Sequence, residues 1–230
     1  MQDWVIVLVK DFASAKQRLG PALDPRERRS LARRNARRAI NAAAAGSHRL
    51  VVAGSDEVAA LAAKLGAEHI VEPRQEGQNT AAMRGISQAV ARGADAVLVL
   101  SSDLPFVTRR SVQRLLTDAA AEPGPVVVAV PAVGRGGTNA LYLRPPHAVN
   151  LHFGGDSLAL FQHDAETRNV RFVVHHATEE EREMFPVAED GLGEQLEELG
   201  EQLAARKKEL QTSRFQKAKR AVKKALRKTA

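Results

Sequence analysis

The stretch "VLVLSSDLP", residues 97–105, runs through four apolar residues without a break and then empties into two serines and an aspartate. A short β-branched and leucine run closed by turn residues reads as a strand. Asp103 therefore stands at that strand's carboxyl edge.

Similar runs recur at 5–9, 50–53, 69–71, 126–130, 140–143 and 170–174. Between most of them lie helical patterns at 25–45, 57–65, 80–91, 108–120 and 157–165. The first helix is the best marked: Asp24 at the cap, Pro25 at the first helical position, Glu27 where a capping box places its acid, and Gly46 at the stop. Strands alternating with helices of about 10 to 15 residues imply βαβ units and a mostly parallel sheet. In such sheets ligands bind beyond the carboxyl ends of the strands, so chemistry is sought in the loops that follow them.

Those loops are "KDFASAKQRLGP" (10–21), "GSD" (54–56), "EPRQEGQN" (72–79), "SSDLP" (101–105) and the glycine-rich opening of "GRGGTNALYLRPP" (134–146). Asp103 suits Mg²⁺, which takes oxygen ligands and keeps waters and phosphate oxygens around one or two carboxylates; a helix-cap or turn aspartate is the alternative. The first loop brings Lys10, Lys16 and Arg18 without a G-x-x-x-x-G-K-[ST] sequence. Lys16 and Arg18 fit phosphate, as point charge and as fork, or else form a solvated face. In "GRGGTN" the glycines let backbone N–H groups reach an anion while Thr138 and Asn139 add a hydroxyl and an amide, or the segment is a plain hairpin. "HFGGDS" (152–157) precedes a helix, so Asp156 or Ser157 caps it or its N-terminus receives an anion.

The chain has 230 residues, no cysteine and a net charge of +7. Without cysteine there is neither a disulfide framework nor a thiolate metal site, and no apolar stretch approaches the roughly 18 residues of a membrane span. A cytoplasmic, unprocessed protein is expected. Residues 201–230 hold 11 Lys or Arg against 2 Glu, so they carry +9 and the first 200 residues are left at −2. The basic character belongs to the tail, where "RFQKAKRAVKKALRK" (214–228) reads as a basic amphipathic helix suited to nucleic acid or an anionic membrane surface, or else as a frayed, solubilising tail. Upstream, Leu192, Leu196, Leu199 and Leu203 form a one-sided apolar stripe.

The segments "VKDFASAKQRLGPALDPRERRSLA", "VVAGSD", "VEPRQEGQNTAAMRGI", "LVLSSDLPFVT", "GGTNALYLRPP" and "FGGDS", over about residues 5–160, resemble the phosphoenolpyruvate or 2-phospho-L-lactate guanylyltransferases of deazaflavin coenzyme (Factor 420) biosynthesis. These are nucleotidyltransferases of a glycosyltransferase-A-like, Rossmann-type fold. The resemblance implies a three-layer α/β/α nucleotidyltransferase domain with a mostly parallel mixed sheet over residues 1–185, followed by a helical, basic extension at 186–230. It implies GTP and a small phospho-acid (phosphoenolpyruvate, 2-phospho-L-lactate or 3-phosphoglycerate) as substrates and Mg²⁺ as cofactor. Lys16, Thr138, Gly154 and Ser157 match positions that hold the acceptor, and Asp103 matches the metal-binding aspartate. Lys10, Arg18, Gly77 and Asn79 match the region around the nucleotide. A homodimer is a further expectation. A transferase for molybdopterin or a sugar phosphate, and an impaired homologue whose tail binds nucleic acid, are the alternative readings.

One feature of the family is missing. Its acidic "DVDTPEDL"-like closing segment is replaced by "VRFVVHHATEEEREMFPVAEDGLGEQ", which leaves Glu179, Glu180, Glu189, Asp190, His175 or His176 as stand-ins.

Overall fold

A computed structural model describes residues 2–132 and 136–176. Its centre is a seven-stranded sheet: β1 (Asp3–Val9), β2 (His48–Ala53), β3 (Glu68–Val71), β4 (Ala96–Ser101), β5 (Val126–Ala132), β6 (Gly137–Arg144) and β7 (Arg171–Val174). The order across the sheet is β3-β2-β1-β4-β6-β5-β7, and only β6 runs antiparallel to its neighbours.

Alternation along the strands sorts the core into two layers. Val5, Val7 and Val9 of β1 face one side, with α1 (Pro25–Ala42), α2 (Asp56–Lys64) and α4 (Arg109–Ala121) over them. Trp4, Ile6 and Leu8 face the other, under α3 (Gln78–Ala91) and α5 (Ser157–Thr167). The three-layer α/β/α arrangement with one reversed strand agrees with the architecture read from sequence.

Local signals act where they were expected. Asp24 accepts from the N–H groups of Arg26 and Glu27, both at 2.9 Å, while Glu27 accepts from the Asp24 N–H at 2.9 Å. Ala32, Ala36 and Ala39 pack α1 closely on the sheet. The helix ends at Ala42 rather than 45, because its last turn tightens into a 3₁₀ turn, Ala43–Ala45, before Gly46. α3 begins at Gln78, two residues early, since Gly77 at φ +97° already ends the preceding loop.

The strand order reverses beside β1: β2 and β3 lie on one side and β4 on the other. This opens a crevice at the carboxyl ends of β1 and β4, where doubly wound sheets bind ligands. The reversed β6 brings its first residues to the same edge. Among the described residues no helix is long and apolar enough to cross a membrane.

Candidate active site

The loop that leaves β1 is pressed against the end of β2. A Cβ on Gly54 would stand 2.7 Å from the Asp11 nitrogen and 3.1 Å from two Lys10 backbone carbons, so only glycine lets the chain pass. The Gly54 N–H donates to the Val9 carbonyl at 2.8 Å and locks the crossing. Lys10 emerges exposed at the end of β1.

Farther along this loop Lys16 adopts the left-handed conformation, φ 56° and ψ 35°, and precedes a short 3₁₀ turn, Gln17–Leu19. A non-glycine residue there costs about 1 to 2 kcal/mol, so something must hold it. Its Nζ lies 3.2 Å from Asp103 Oδ1 across the crevice, with the lysine side chain 12% exposed and the carboxylate 64% exposed. The Asp103 N–H donates to Ser101 Oγ at 3.2 Å, and Arg38 of α1 donates to the Pro105 carbonyl, which braces the "SSDLP" loop from below. Arg18 belongs to the 3₁₀ turn, but its side chain lies outside the described residues.

At the adjoining strand mouth, Leu100 pairs with Ala140, so Thr138 sits beside the exit of β4. The ladder between β5 and β6 skips one residue: Val130 faces Ala140, but Pro131 faces Thr138. Pro131 has no N–H to give, and Asn139 is the extra residue of a bulge. Its Nδ2 donates to the Pro131 carbonyl at 3.3 Å, so this amide completes the bulge. Thr138 points instead to Ser157, whose Oγ donates to Thr138 Oγ1 at 2.9 Å. Ser157 is fully buried.

The chain from 150 to 158 wraps this pair. Asp164 accepts from the Asn150 N–H at 2.6 Å and lies 3.2 Å from His152 Nε2, while Arg168 Nε donates to its other oxygen at 2.8 Å. Burial pushes the Asp164 carboxyl up, but these hydrogen bonds outweigh it and hold the group below the ordinary carboxylate value. Asn79, on the first turn of α3, bonds Phe153: the Phe153 N–H donates to Oδ1 at 2.7 Å and Nδ2 donates to the carbonyl at 3.2 Å. Gly154 follows at φ 148° and Gly155 after it. Asp156 occupies the cap position of α5 but in the left-handed region, and its side chain makes no cap bond. The carboxylate lies against Gly136, where a Cβ would be 2.8 Å from Oδ1.

The structure thus unites Lys16 with Asp103, Thr138 with Ser157, and Asn79 with the residue before Gly154. Gly77 caps α3 at the same edge. Asp164 and Arg38 shape the site without any local signal in the sequence, since each acts on a residue chosen by the fold, while His152 and Phe153 open the quoted "HFGGDS" segment. His175 is engaged by α4: its Nε2 is 3.2 Å from Arg114 Nη2 and its Nδ1 3.4 Å from an Asp118 oxygen. The carbonyl of His176 accepts from the same arginine. Glu179, Glu180, Glu189, Asp190 and the tail 186–230 lie outside the described residues, as does Arg135.

Among the described residues no three His, Cys, Asp or Glu side chains gather as a metal cluster. Asp103 alone still fits Mg²⁺, because an open carboxylate with room for water and phosphate oxygens is what that ion takes. The Lys16 ammonium lies beside that carboxylate.

Comparison with known proteins gives the family. The family model described as "Guanylyl transferase CofC like" matches residues 3–179. The chain belongs to that family. A phosphoenolpyruvate guanylyltransferase of Rubrobacter xylanophilus is 39% identical over 175 residues, covering 74% of this chain and 83% of the relative. A 2-phospho-L-lactate guanylyltransferase of Methanothermobacter thermautotrophicus is 34% identical, covering 76% of each. Among solved structures, a nucleotidyl transferase of Methanothermobacter thermautotrophicus superposes with a TM-score of 0.56 at 17% identity, over 77% of this chain and 88% of that one. That likeness concerns the fold.

Proposed function

We propose that this guanylyl transferase family member moves GMP from GTP onto the phosphate of a small phospho-acid and releases pyrophosphate, as a step of deazaflavin coenzyme biosynthesis. The observation that carries the reading is the Lys16–Asp103 pair at the mouth of β1 and β4, one strand away from the Thr138–Ser157 pair. One pair suits the triphosphate and the other a compact acceptor.

In this reaction an acceptor phosphate oxygen attacks the α-phosphorus of GTP; the new P–O bond forms as the bond from the α-phosphorus to the bridging oxygen breaks, and pyrophosphate takes the electron pair. The nucleophile is already anionic, so no base or nucleophile triad is required. What the protein supplies is alignment and positive charge. Lys10 and Lys16 offset the phosphate charge, while Thr138 orients the acceptor and the backbone around Gly154 and Gly155 lets N–H groups approach it. Mg²⁺, held by Asp103 and phosphate oxygens, would neutralise the triphosphate and the leaving group. The acceptor must present a phosphate beside a carboxylate, which phosphoenolpyruvate, 2-phospho-L-lactate and 3-phosphoglycerate all do.

The test is pyrophosphate release from GTP and Mg²⁺ with each phospho-acid supplied separately, beside Asp103→Asn. Release with one acceptor, reduced roughly 100-fold or more in the variant, is expected. Silence with all three acceptors, or undiminished release by Asp103→Asn, overturns the proposal.

A further inference from the structure

We infer that Asn79 is a positioning residue for the acceptor loop, acting through the backbone of Phe153, and not a nucleotide ligand. The inference rests on the proposed reaction for what the loop binds, but its physical basis is independent of it.

A carboxamide offers a carbonyl oxygen and an NH₂ group side by side. In Asn79 one of each is used on a single partner, Phe153, at 2.7 and 3.2 Å, as one strand uses another in a ladder. The two residues are 74 positions apart, so this is a tertiary tie and not a helix-end device. The cap position of helix α3 is Gly77, and the Asn79 amide bonds Phe153 and not the N–H groups of its own helix.

Phe153 is fixed at its side chain as well. The residue is 8% exposed, and its ring meets Phe161 of α5 edge to face, centroids 5.3 Å apart. With backbone and ring both held, Gly154 begins the loop from a fixed point. The loop is tied again at Ser157, through Thr138, and its stem is tied at Asn150 and His152 through Asp164. Between the two ties remain Gly154, Gly155 and Asp156, the arc whose N–H groups face the acceptor under the proposed reaction. Asn79 therefore joins the N-terminus of α3 to that arc, and removing it releases the arc at its first residue.

Asn79→Ala and Asn79→Asp separate this role from nucleotide contact. Losing the two bonds should raise the KM for the phospho-acid roughly tenfold, with the KM for GTP held within about twofold. Asn79→Asp keeps the acceptor for the Phe153 N–H but sets a carboxylate oxygen against the Phe153 carbonyl and a negative charge beside the acceptor loop, so its acceptor KM should rise at least as far as that of Asn79→Ala. Amide hydrogen exchange provides a readout that needs no activity: the Phe153 amide, which donates to Asn79, should exchange faster in Asn79→Ala while those of β1 and β4 are unchanged. A higher KM for GTP with the acceptor KM unaltered, or unaltered exchange at Phe153, overturns the inference. If the native protein releases no pyrophosphate, the proposed reaction fails, and exchange still decides whether Asn79 holds the loop.

Discussion

Replacing Thr138 by Val tests the hydroxyl pair at the acceptor site with little change of shape, since a methyl takes the place of the hydroxyl. Ser157 is fully buried and donates to Thr138 Oγ1 at 2.9 Å, so the substitution leaves its O–H without that acceptor. A buried donor stranded in this way costs about 1 to 3 kcal/mol. For a domain of about 150 to 250 residues, each kcal/mol lowers Tm by about 2 to 4 °C. Ser157→Ala should cost less, about 0.5 to 1.5 kcal/mol, because Thr138 is only partly buried and can turn to water. In the double variant no donor is stranded, so its cost should fall short of the two single costs added together by about 1 kcal/mol. Urea unfolding of the four proteins measures this cycle, and pyrophosphate release under the same conditions should show a higher acceptor KM for Thr138→Val. If the costs of the single variants add to within about 0.5 kcal/mol, the hydroxyls are not coupled and the reasoning fails.

Two further predictions concern the frame of the site. Gly54→Ala places a Cβ 2.7 Å from the Asp11 nitrogen, a backbone atom that cannot swing away, so a loss of about 1 to 3 kcal/mol and a displaced first loop are expected in urea unfolding; a loss below about 0.5 kcal/mol would contradict the packing. Tyr142, the sole tyrosine of the chain, is pushed up to about 12 by burial and then by the charge of Asp3. Because its folded value lies above the unfolded value of about 10, its contribution to stability is complete below about pH 10 and is lost as pH rises toward 12. Tyrosinate absorbance should therefore appear well above pH 10 and together with loss of folded structure, and Tyr142→Phe should remove that alkaline slope. Ionisation near pH 10 in a protein that stays folded would show that the phenol is not buried.

Much of the fold was legible because it is written in local physics. Burial on both faces makes β1 and β4 continuous apolar runs, and the Asp24–Glu27 box and Gly46 mark the first helix by hydrogen bonding within a few residues. The loops after the strands, with Lys10, Lys16, Asp103 and the glycine-rich turn, followed from the parallel sheet. The roles of two amides did not. Asn139, readable as a ligand amide or as part of a plain hairpin, donates to the Pro131 carbonyl at the bulge, while Asn79 bonds Phe153 with both halves of its amide.

What the sequence by itself determined, then, is which segments are strands and helices, which faces are apolar, and which residues stand at strand ends. Periodicity reports burial, and capping reports bonds between near neighbours. Only the tertiary structure decided that β6 enters the sheet reversed between β4 and β5, carrying Thr138 to the edge where Asp103 lies. It alone paired Lys16 with Asp103 and Asn79 with Phe153, across 87 positions in the first case and 74 in the second. Such pairings depend on strand order and on how helices settle against the sheet, and neither leaves a pattern in the residues that come to meet.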